Sequence, residues 1–494
     1  MAEYNKYGQI RAIARMNANK KKKFETISAG KIKQSKRPSI DYDFMEGAGF
    51  PEHPIDWNDF FTNGISDDLK NHIDGNKKAS IFELPAGYGK TAITVACLGK
   101  IQKERGKQLN FIVSVTPQGL KDKNWQKAIN SWNENYPENQ LQPFLITSTD
   151  MMKKALEFKE TFEEIKKGIG KNGFVVIDEV HKYKNPTGRR AKALKKLKGN
   201  QILGLSATPE TNNVVSDIIS YLIMAGFYSS MNKAIKVLGL ENYMDRFFKL
   251  HPYDKDGHVV KSWEMKDEFF KLWNQVKFKP KNISGIDKLL PNVHTNLVQL
   301  DYDENLLADI RSLGYAYKKR MFESFGSYYI EIINRIYGDP KRIDVLVDII
   351  SKEEVTQPLV FYWHREVKDA IVERLTNLGI PYKILDGENK LSEEDRKDLK
   401  TVFLIQYMSG AEQIEFLNSN TSVFYENQRS YVMYEQSKAR NVRRNMTHEV
   451  NHHYIVSDVS FDREIYKFMQ DKANRNKEIG FESIEKIIQE MTNA

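Results

Sequence analysis

Short apolar runs alternate with amphipathic segments along most of this chain of 494 residues. Four such runs, rich in β-branched and aromatic side chains, follow residue 80, and a second series begins near residue 341. Buried strands separated by Lys- and Glu-rich amphipathic helices are typical of parallel sheets covered by helices. The predicted strands are 111–117, 143–149, 174–180 and 201–208 in the first series, and 358–364, 382–387, 401–407, 422–427 and 452–458 in the second.

Between the two series, residues 214–285 lose the strand pattern and predict helices with apolar faces. A chain of this length is too long for one core, so several domains are expected. The predicted fold class is α/β, with two parallel-sheet lobes and a helical insertion between them. The predicted divisions are a basic, flexible N-terminal arm over 1–50, a first lobe over 51–213, the insertion and linker over 214–340, a second lobe over 341–470 and a C-terminal helix over 471–494.

The composition of the chain limits its possible partners, disulfides and location. The net charge is +9, and many of the positive charges lie in the N-terminal arm, which includes four successive lysines at 20–23. That arm is either a solvated tail or a contact for a polyanion. The single cysteine, Cys97, excludes internal disulfides and is expected to be buried and inert. No apolar run has membrane-spanning length and no signal-peptide core is present, so we expect an intracellular protein, cytoplasmic in a bacterium or phage-infected cell and otherwise nuclear.

The segment LPAGYGKTAIT, which begins at Leu84, follows a short strand pattern and precedes a helical pattern. Gly87 and Gly89 allow the backbone to curl so that its N–H groups point at phosphate oxygens. Lys90 would reach the β and γ phosphates of ATP, and the hydroxyl of Thr91 would bind Mg²⁺. The alternative is a glycine-rich turn, because Leu84 stands where the full motif has glycine. The predicted nucleotide-binding residues are Gly87, Tyr88, Gly89, Lys90, Thr91 and Ala92.

Two acidic residues follow the predicted strand over 174–180. A carboxylate at the end of a strand beside a phosphate loop holds Mg²⁺, which we assign to Asp178, and its neighbour Glu179 is assigned as the base that polarises the attacking water. The alternative is a solvated acid pair at a strand end. His181 is predicted to couple this site to the next strand, where Ser206 and Thr208 either sense the γ phosphate or form an ordinary turn.

Near the end of the second series, the segment EQSKARNVRRN places two arginines three positions apart. Such arginines are expected to project from one helical face. A planar guanidinium suits a phosphate in transition. We therefore assign catalytic roles to Arg440 and Arg443, with Gln436 in register before them. If both arginines come from the second lobe, they complete the active site only when the lobes close. The alternative is a solvated, arginine-rich helix.

In this order the motifs resemble helicase superfamily 2, and more narrowly the Swi/Snf-like ATPases. The family's next segment is approximated by VTPQGLKDKNW over 115–125, its basic-Asn step by Lys184 and Asn185, and its third motif by the Thr-Pro-x-x-Asn-Asn ending of GLSATPETNN. In the second lobe, LVFYWHREVKDAI resembles the fourth motif and YKILDGENKLSEEDR the Leu-Asp-Gly segment. The fifth motif fits at Gly410, although Ala411 and Glu412 replace its usual Gly-Leu step.

The resemblance covers roughly residues 55–470 and implies a fold of two RecA-like lobes. It also implies a nucleic-acid-stimulated ATPase that uses ATP and Mg²⁺ and moves on DNA, double-stranded or branched, with Gly410 near the nucleic acid. Two alternatives stay open. One is a helicase that separates strands or remodels branches, and the other is a recruitment factor in which ATP switches nucleic-acid binding without translocation. The Lys- and Asn-rich composition favours a phage or mobile-element origin.

Overall fold

Two six-stranded sheets organise the chain, and every strand pair in the part that the structure describes is parallel. The structure is a computed structural model. It describes residues 55–75, 78–121, 123–170, 173–185, 188–197, 200–209, 215–240, 265–302, 304–322, 324–389, 391–392, 394–410, 414–427, 430–443, 446 and 448–470. The predicted arm over 1–50 and the predicted C-terminal helix over 471–494 lie outside these residues. None of the described helices has the length and apolar character needed to cross a membrane.

The first sheet has the strand order β3-β2-β4-β5-β1-β6. Its strands are β1 (Ala79–Glu83), β2 (Phe111–Val115), β3 (Leu145–Ser148), β4 (Phe174–Asp178), β5 (Gln201–Ser206) and β6 (Lys277–Phe278). The α-helices of this half are α1 (Phe60–Gly75), α2 (Lys90–Arg105), α3 (Pro117–Lys121), α4 (Asn124–Asn135), α5 (Thr149–Glu157), α6 (Lys159–Ile169), α7 (Arg189–Leu194), α8 (Val215–Met224), α9 (Met231–Val237), α10 (Lys266–Val276) and α11 (Ser284–Asp287). Short 3₁₀ turns lie at Pro137–Asn139, Val180–Tyr183 and Lys195–Leu197.

The second sheet has the order β7-β12-β11-β8-β10-β9. Its strands are β7 (Val293–Leu300), β8 (Leu359–Tyr362), β9 (Tyr382–Leu385), β10 (Val402–Gln406), β11 (Thr421–Phe424) and β12 (Val450–Ser457). Its α-helices are α12 (Glu304–Lys318), α13 (Phe325–Tyr337), α14 (Pro340–Ile350), α15 (Arg365–Asn377), α16 (Tyr407–Gly410), α17 (Tyr431–Lys438) and α18 (Ser460–Gln470), with a 3₁₀ turn at Glu394–Arg396. The predicted α/β fold of two RecA-like lobes is confirmed.

Both faces of each sheet are covered, because successive strand residues enter different apolar clusters. Ile81 packs into one cluster of the first lobe and its neighbour Phe82 into another. In the second lobe, Leu359 and Val360 divide in the same way. This two-sided burial explains why the central strands show continuous apolar runs instead of alternation. Cys97 is buried in the first lobe, as expected, and burial raises the pKa of its thiol.

Two strands lie where the sequence pattern predicts no strand. β6 falls in the predicted helical stretch over 214–285 and has two residues, too few to show periodicity. β7 lies before the predicted second lobe, yet it pairs with β12 along its whole length. Because β7 is at the sheet edge, most of its side chains are exposed or half-buried, and an edge strand of this kind needs no apolar run.

A buried ion pair joins two helices of the second lobe. Arg342 of α14 lies 2.8 Å from Asp462 of α18, and both side chains are 0% exposed. The guanidinium also donates to the carbonyl oxygens of Tyr425, at 2.7 Å, and Ile455, at 2.6 Å. Arg342 therefore connects α14 to α18 and to the carboxyl side of two strands.

Replacing Arg342 with Met should destabilise the second lobe by about 3–5 kcal/mol, because the buried carboxylate of Asp462 would lose its cationic partner and keep only neutral hydrogen-bond donors. Urea unfolding followed by circular dichroism measures the change. The matched control is Arg335→Met, which breaks an exposed pair with Asp309 and should cost at most about 1 kcal/mol. Equal destabilisation by both variants would contradict this account of the buried pair.

Candidate active site

The turn between β1 and α2 has the geometry of a phosphate loop. Gly87 and Gly89 have φ values of 84° and 80°, in the left-handed region that favours glycine. Gly89 is also the N-cap of α2, a helix of 16 residues. The positive end of a helix and the inward-facing N–H groups of such a turn together favour an anion. The sequence-predicted loop is therefore a curled backbone leading directly into a helix N-terminus.

Lys90 lies inside this loop. Its ammonium group donates to the carbonyl oxygens of Leu84, at 2.9 Å, and Pro85, at 3.2 Å. Burial lowers the pKa of Lys90, while the charges of Glu179 and Asp178 raise it. The ammonium is therefore within electrostatic reach of both predicted acidic residues. The contacts with loop carbonyls are ones that a phosphate oxygen could replace.

The other loop residues differ in their surroundings. Thr91 occupies the first turn of α2 and is half-buried. Ala92 packs into the apolar core of the lobe. Tyr88 donates its hydroxyl proton to Asp287 of α11, at 2.8 Å, and burial together with this carboxylate raises the pKa of the phenol. Tyr88 therefore anchors the loop to the segment that leads into the second lobe.

Asp178 ends β4 and is 4% exposed. The indole N–H of Trp125, in α4, donates to Asp178 Oδ2 at 3.0 Å. Because Trp125 is itself buried, its side chain is held in a fixed position behind the carboxylate. In the sequence, Trp125 stands in the segment VTPQGLKDKNW, whose pattern assigns it no role. Only the fold shows that it orients the predicted metal ligand.

Glu179 has a φ of 57°, which is unusual for a residue other than glycine. Strain of this kind persists only where the surroundings determine the conformation, and it often marks functional sites. Burial raises the pKa of Glu179, but the hydrogen bond with His181 and the charge of Lys90 outweigh it and lower the pKa to about 2. The carboxylate is therefore ionised at neutral pH and able to accept a proton.

His181 connects the acidic residues to the end of β5. Its Nδ1 lies 3.1 Å from Glu179 Oε2 and 3.1 Å from Ser206 Oγ. Ser206 Oγ in turn accepts the backbone N–H of Thr208 at 3.1 Å. The buried hydroxyl oxygen of Thr208 has no hydrogen-bond partner among the described residues. The structure thus brings His181, Ser206 and Thr208 into one connected group beside Glu179.

The second lobe places Arg443 against the phosphate loop. A Cβ added to Gly87 would lie 3.1 Å from Arg443 Nη1 and 2.8 Å from the carbonyl oxygen of Val442. Arg443 is held from its own lobe, because its Nε donates to Glu415 Oε1 at 2.9 Å. Its charge lowers the pKa of Lys90. The guanidinium and the loop are therefore neighbours across the boundary between the lobes.

The prediction that both arginines share a helical face is wrong. α17 ends at Lys438, so Arg440 and Arg443 lie beyond it, where helical spacing no longer applies. Arg440 is 5% exposed and donates from Nη1 to the carbonyl oxygen of Ile414, in its own lobe, at 3.3 Å. Gln436 is buried within α17. Gly410 ends α16, and its contact with nucleic acid stays a prediction.

Comparisons with known proteins match part of the chain in sequence. Residues 63–211 match the family "Type III restriction enzyme, res subunit". The chain is 29% identical over 137 residues to Helicase SWR1 of Eremothecium gossypii, a match that covers 26% of this chain and 9% of that protein. Over part of its length, the chain is therefore similar to a Swi/Snf-like helicase. The Sulfolobus solfataricus SWI2/SNF2 ATPase core in complex with dsDNA aligns with 87% of the chain, and the chain with 94% of it, at 15% identity and a TM-score of 0.36.

The residues of the site fit a nucleotide with Mg²⁺. Glycine at position 87 keeps the phosphate loop open, because a Cβ there would collide with the backbone of the second lobe. Thr91 offers a hydroxyl and Asp178 a carboxylate, and oxygen ligands of this kind are the ones that Mg²⁺ prefers. The unpartnered hydroxyl of Thr208 is a further polar group available to a ligand. Thr91 and Asp178 would hold the metal, as the sequence predicts.

The corresponding turn of the second lobe has different surroundings. There, the turn from β8 into α15 is filled by the carboxylate of Glu426, which accepts the backbone N–H groups of Trp363 and His364. Its other oxygen lies 2.6 Å from His364 Nδ1. Glu426 is 1% exposed, so an internal carboxyl group occupies this helix N-terminus. Among the described residues, the open glycine loop belongs to the first lobe.

Proposed function

We propose that this protein hydrolyses ATP and uses the hydrolysis cycle to move along double-stranded DNA. The observation that carries the proposal is the contact of Arg443, from the second lobe, with the phosphate loop at Gly87 of the first. A site shared between two lobes changes when they separate. Hydrolysis is thereby tied to a motion between them.

Each group in the site has a separable role. Lys90 would leave the carbonyl oxygens of Leu84 and Pro85 to contact the phosphates. Glu179, ionised at neutral pH, orients the attacking water and accepts its proton. Arg443 stabilises the charge that develops on the transferred phosphoryl group. Bound Mg²⁺ would neutralise charge on the phosphate oxygens, held by Thr91 and Asp178.

A relay for the nucleotide state runs from Glu179 through His181 to Ser206. These three residues are joined by the two 3.1 Å contacts of His181 Nδ1. Since Ser206 ends β5 and bonds the backbone of Thr208, a shift of Glu179 would be felt in the segment that follows the sheet. In this proposal, a DNA-binding surface at that segment would move when the nucleotide is hydrolysed.

A nucleic-acid track is supported by the similarity to a helicase and by the net charge of +9. Positive charge favours phosphate contacts, which carry little sequence information. The nucleic acid that we propose is DNA, double-stranded or branched. The compartment that we propose is the cytoplasm of a bacterium or phage-infected cell. If the chain is eukaryotic, the compartment is the nucleus.

The deciding experiment measures ATP hydrolysis without nucleic acid and then with duplex DNA, single-stranded DNA or RNA, at one low salt concentration. Strong stimulation by duplex DNA together with displacement of a triplex-forming strand supports translocation. Release of a base-paired strand would instead identify a strand-separating helicase. ATP-dependent DNA binding with neither activity would identify a recruitment switch. Rapid hydrolysis that no nucleic acid stimulates would contradict the proposal that the protein moves along DNA.

Replacing Trp125 with Phe should raise the Mg²⁺ concentration needed for tight nucleotide binding by about tenfold or more, because the metal-holding carboxylate loses its orienting donor. Titrating Mg²⁺ against a fluorescent ADP analogue measures this without turnover. The matched control is Trp132→Phe, because Trp132 donates to the carbonyl oxygen of Asn139 instead of to Asp178. If the two variants show the same Mg²⁺ dependence, Trp125 has no positioning role.

A further inference from the structure

The turn that follows α12 in the second lobe combines three features that rarely occur together. We call residues 315–321 the tip. The tip contains the sequence Tyr-Ala-Tyr-Lys-Lys-Arg-Met, and no acidic residue occurs between positions 310 and 322. It belongs to a helical pair, α12 and α13, and is separate in sequence from every residue of the predicted ATP site.

The first feature is a strained helix end. The N–H of Met321 bonds the carbonyl oxygen of Ala316, at 3.1 Å, and the N–H of Arg320 bonds that of Tyr317, at 2.9 Å. This pair of bonds is the Schellman pattern, in which the left-handed position is usually glycine. Here that position is Arg320, with a φ of 56°. Glycine would adopt this conformation without strain, so the structure retains an arginine at a cost.

The second feature is exposed apolar surface. A Schellman end usually includes an apolar contact between the residue after the left-handed position and the last helical turn. Met321 is the residue in that place, but its side chain is 74% exposed. Tyr315, one turn earlier, is 63% exposed, and Lys319 Nζ lies 5.4 Å above its ring. Two large apolar side chains therefore face solvent beside a group of cations.

The third feature is that the tip is held in place from behind. The ring of Tyr317 stacks on that of Tyr328 in α13, with centroids 4.4 Å apart and planes 5° apart. Phe322 and Phe325 also pack against Tyr328. The packing of these rings on the buried Tyr328 fixes the end of α12, whereas Lys318, Lys319 and Arg320 are exposed. The tip is thus a supported basic surface with two apolar side chains.

We infer that the tip binds DNA, with Lys318, Lys319 and Arg320 on backbone phosphates and with Met321 and Tyr315 against the sugars and base edges. Cations supply the phosphate contacts of any duplex, and apolar side chains enter a groove or lie against bases. The partner fits the charge of the tip, whose seven residues carry three basic side chains and no acidic one. This inference rests on the proposed function, because it adds a second contact to the same DNA.

The test compares duplex-DNA affinity over a series of salt concentrations, measured by fluorescence anisotropy. For duplex DNA, log K falls with log salt by about 0.9 for each phosphate contact. The variant Lys318→Gln/Lys319→Gln should therefore flatten the slope by about 2 and weaken binding by about tenfold or more at low salt. Arg320→Gly should flatten it by about 1, while the relief of strain keeps or raises the melting temperature. Loss of affinity in that variant is not a consequence of unfolding.

The matched control is Lys103→Gln/Lys107→Gln. These two lysines are exposed at and just beyond the C-terminal end of α2. The phosphate loop lies at the other end of this helix. The control should keep the wild-type slope. Met321→Ala should weaken binding without changing the slope, and unchanged affinity there would remove the apolar contact from the inference.

The outcomes distinguish a failure of the proposed function from a failure of the tip inference. If the wild-type protein binds no DNA, the proposed function fails. If the wild-type protein binds DNA but the tip variants keep its slope and affinity, the tip inference alone fails, and a protein partner becomes the occupant to seek. Flattened slopes in both tip variants, with a wild-type slope in the control, establish the contact.

Discussion

Replacing Glu179 with Gln is expected to reduce the kcat for ATP hydrolysis by about a thousandfold or more, while nucleotide affinity stays within a few-fold of wild type. Gln has nearly the same shape, so it fits beside His181, but its amide cannot accept a proton. The wild-type carboxylate is ionised at neutral pH, because its pKa is lowered to about 2, and an ionised carboxylate has an oxygen that can accept the proton. Single-turnover hydrolysis and binding of a fluorescent nucleotide measure the two quantities separately.

The matched control is Glu163→Gln, which makes the same chemical change at an exposed position of α6. Its kcat should be that of the wild type. Hydrolysis by the Glu179 variant at more than about a tenth of the wild-type rate would assign the base to another residue. A loss of nucleotide binding equal to the loss of hydrolysis would instead indicate that Glu179 supports the shape of the site.

Replacing Arg443 with Ala is expected to lower stimulated kcat by about 10³ to 10⁵, the range found for arginines that complete phosphoryl-transfer sites. The guanidinium lies next to the loop at Gly87, and it is separated from the nucleotide if the lobes part. Nucleotide affinity should change little, because Lys90 and the helix N-terminus stay in the first lobe. Arg443→Lys should recover only a small part of the activity, since an ammonium does not reproduce the planar fork.

Two further variants make this test specific. Arg463→Ala removes an exposed arginine of α18 and should leave stimulated turnover unchanged. Glu415→Gln keeps Arg443 but weakens the bond to its Nε, so an intermediate kcat is expected. A normal kcat in Arg443→Ala would remove its catalytic role and, with it, the observation on which the coupling of hydrolysis to lobe motion depends.

The central strands and the phosphate loop were predictable because their signals are local. A strand buried on both faces is an apolar run, and a phosphate loop needs glycine, lysine and a hydroxyl at fixed spacing. Asp178 and Glu179 could be placed at a strand end for the same reason. The structure then brings Lys90 within electrostatic reach of both carboxylates, as the order of motifs implies.

What the sequence did not show depends on contacts between distant segments. Trp125 reaches Asp178 from a helix 53 positions away, and Glu415 reaches Arg443 from 28 positions away. No spacing rule relates such residues. The left-handed backbone of Glu179 is likewise imposed by its surroundings, because glutamate has no preference for that region.

The segment EQSKARNVRRN illustrates an error of a different kind. Residues 431–443 contain helix-forming side chains, and the spacing of Arg440 and Arg443 agrees with a helical face. The helix nevertheless ends at Lys438, and Arg443 then lies against the phosphate loop of the opposite lobe. Position in the tertiary structure overrides local propensity at the point where the two lobes meet.

The pairing of β7 with β12 sets an order of events on the ribosome. The first sheet has all its described strands once residue 278 has been made, whereas β7 must wait for a partner that begins at Val450. At about 5–20 residues per second, this interval lasts roughly 8 to 30 s. During it the nascent chain carries a complete first lobe followed by an unfinished one. A chaperone that shields edge strands would have its longest opportunity between the synthesis of β7 and that of β12.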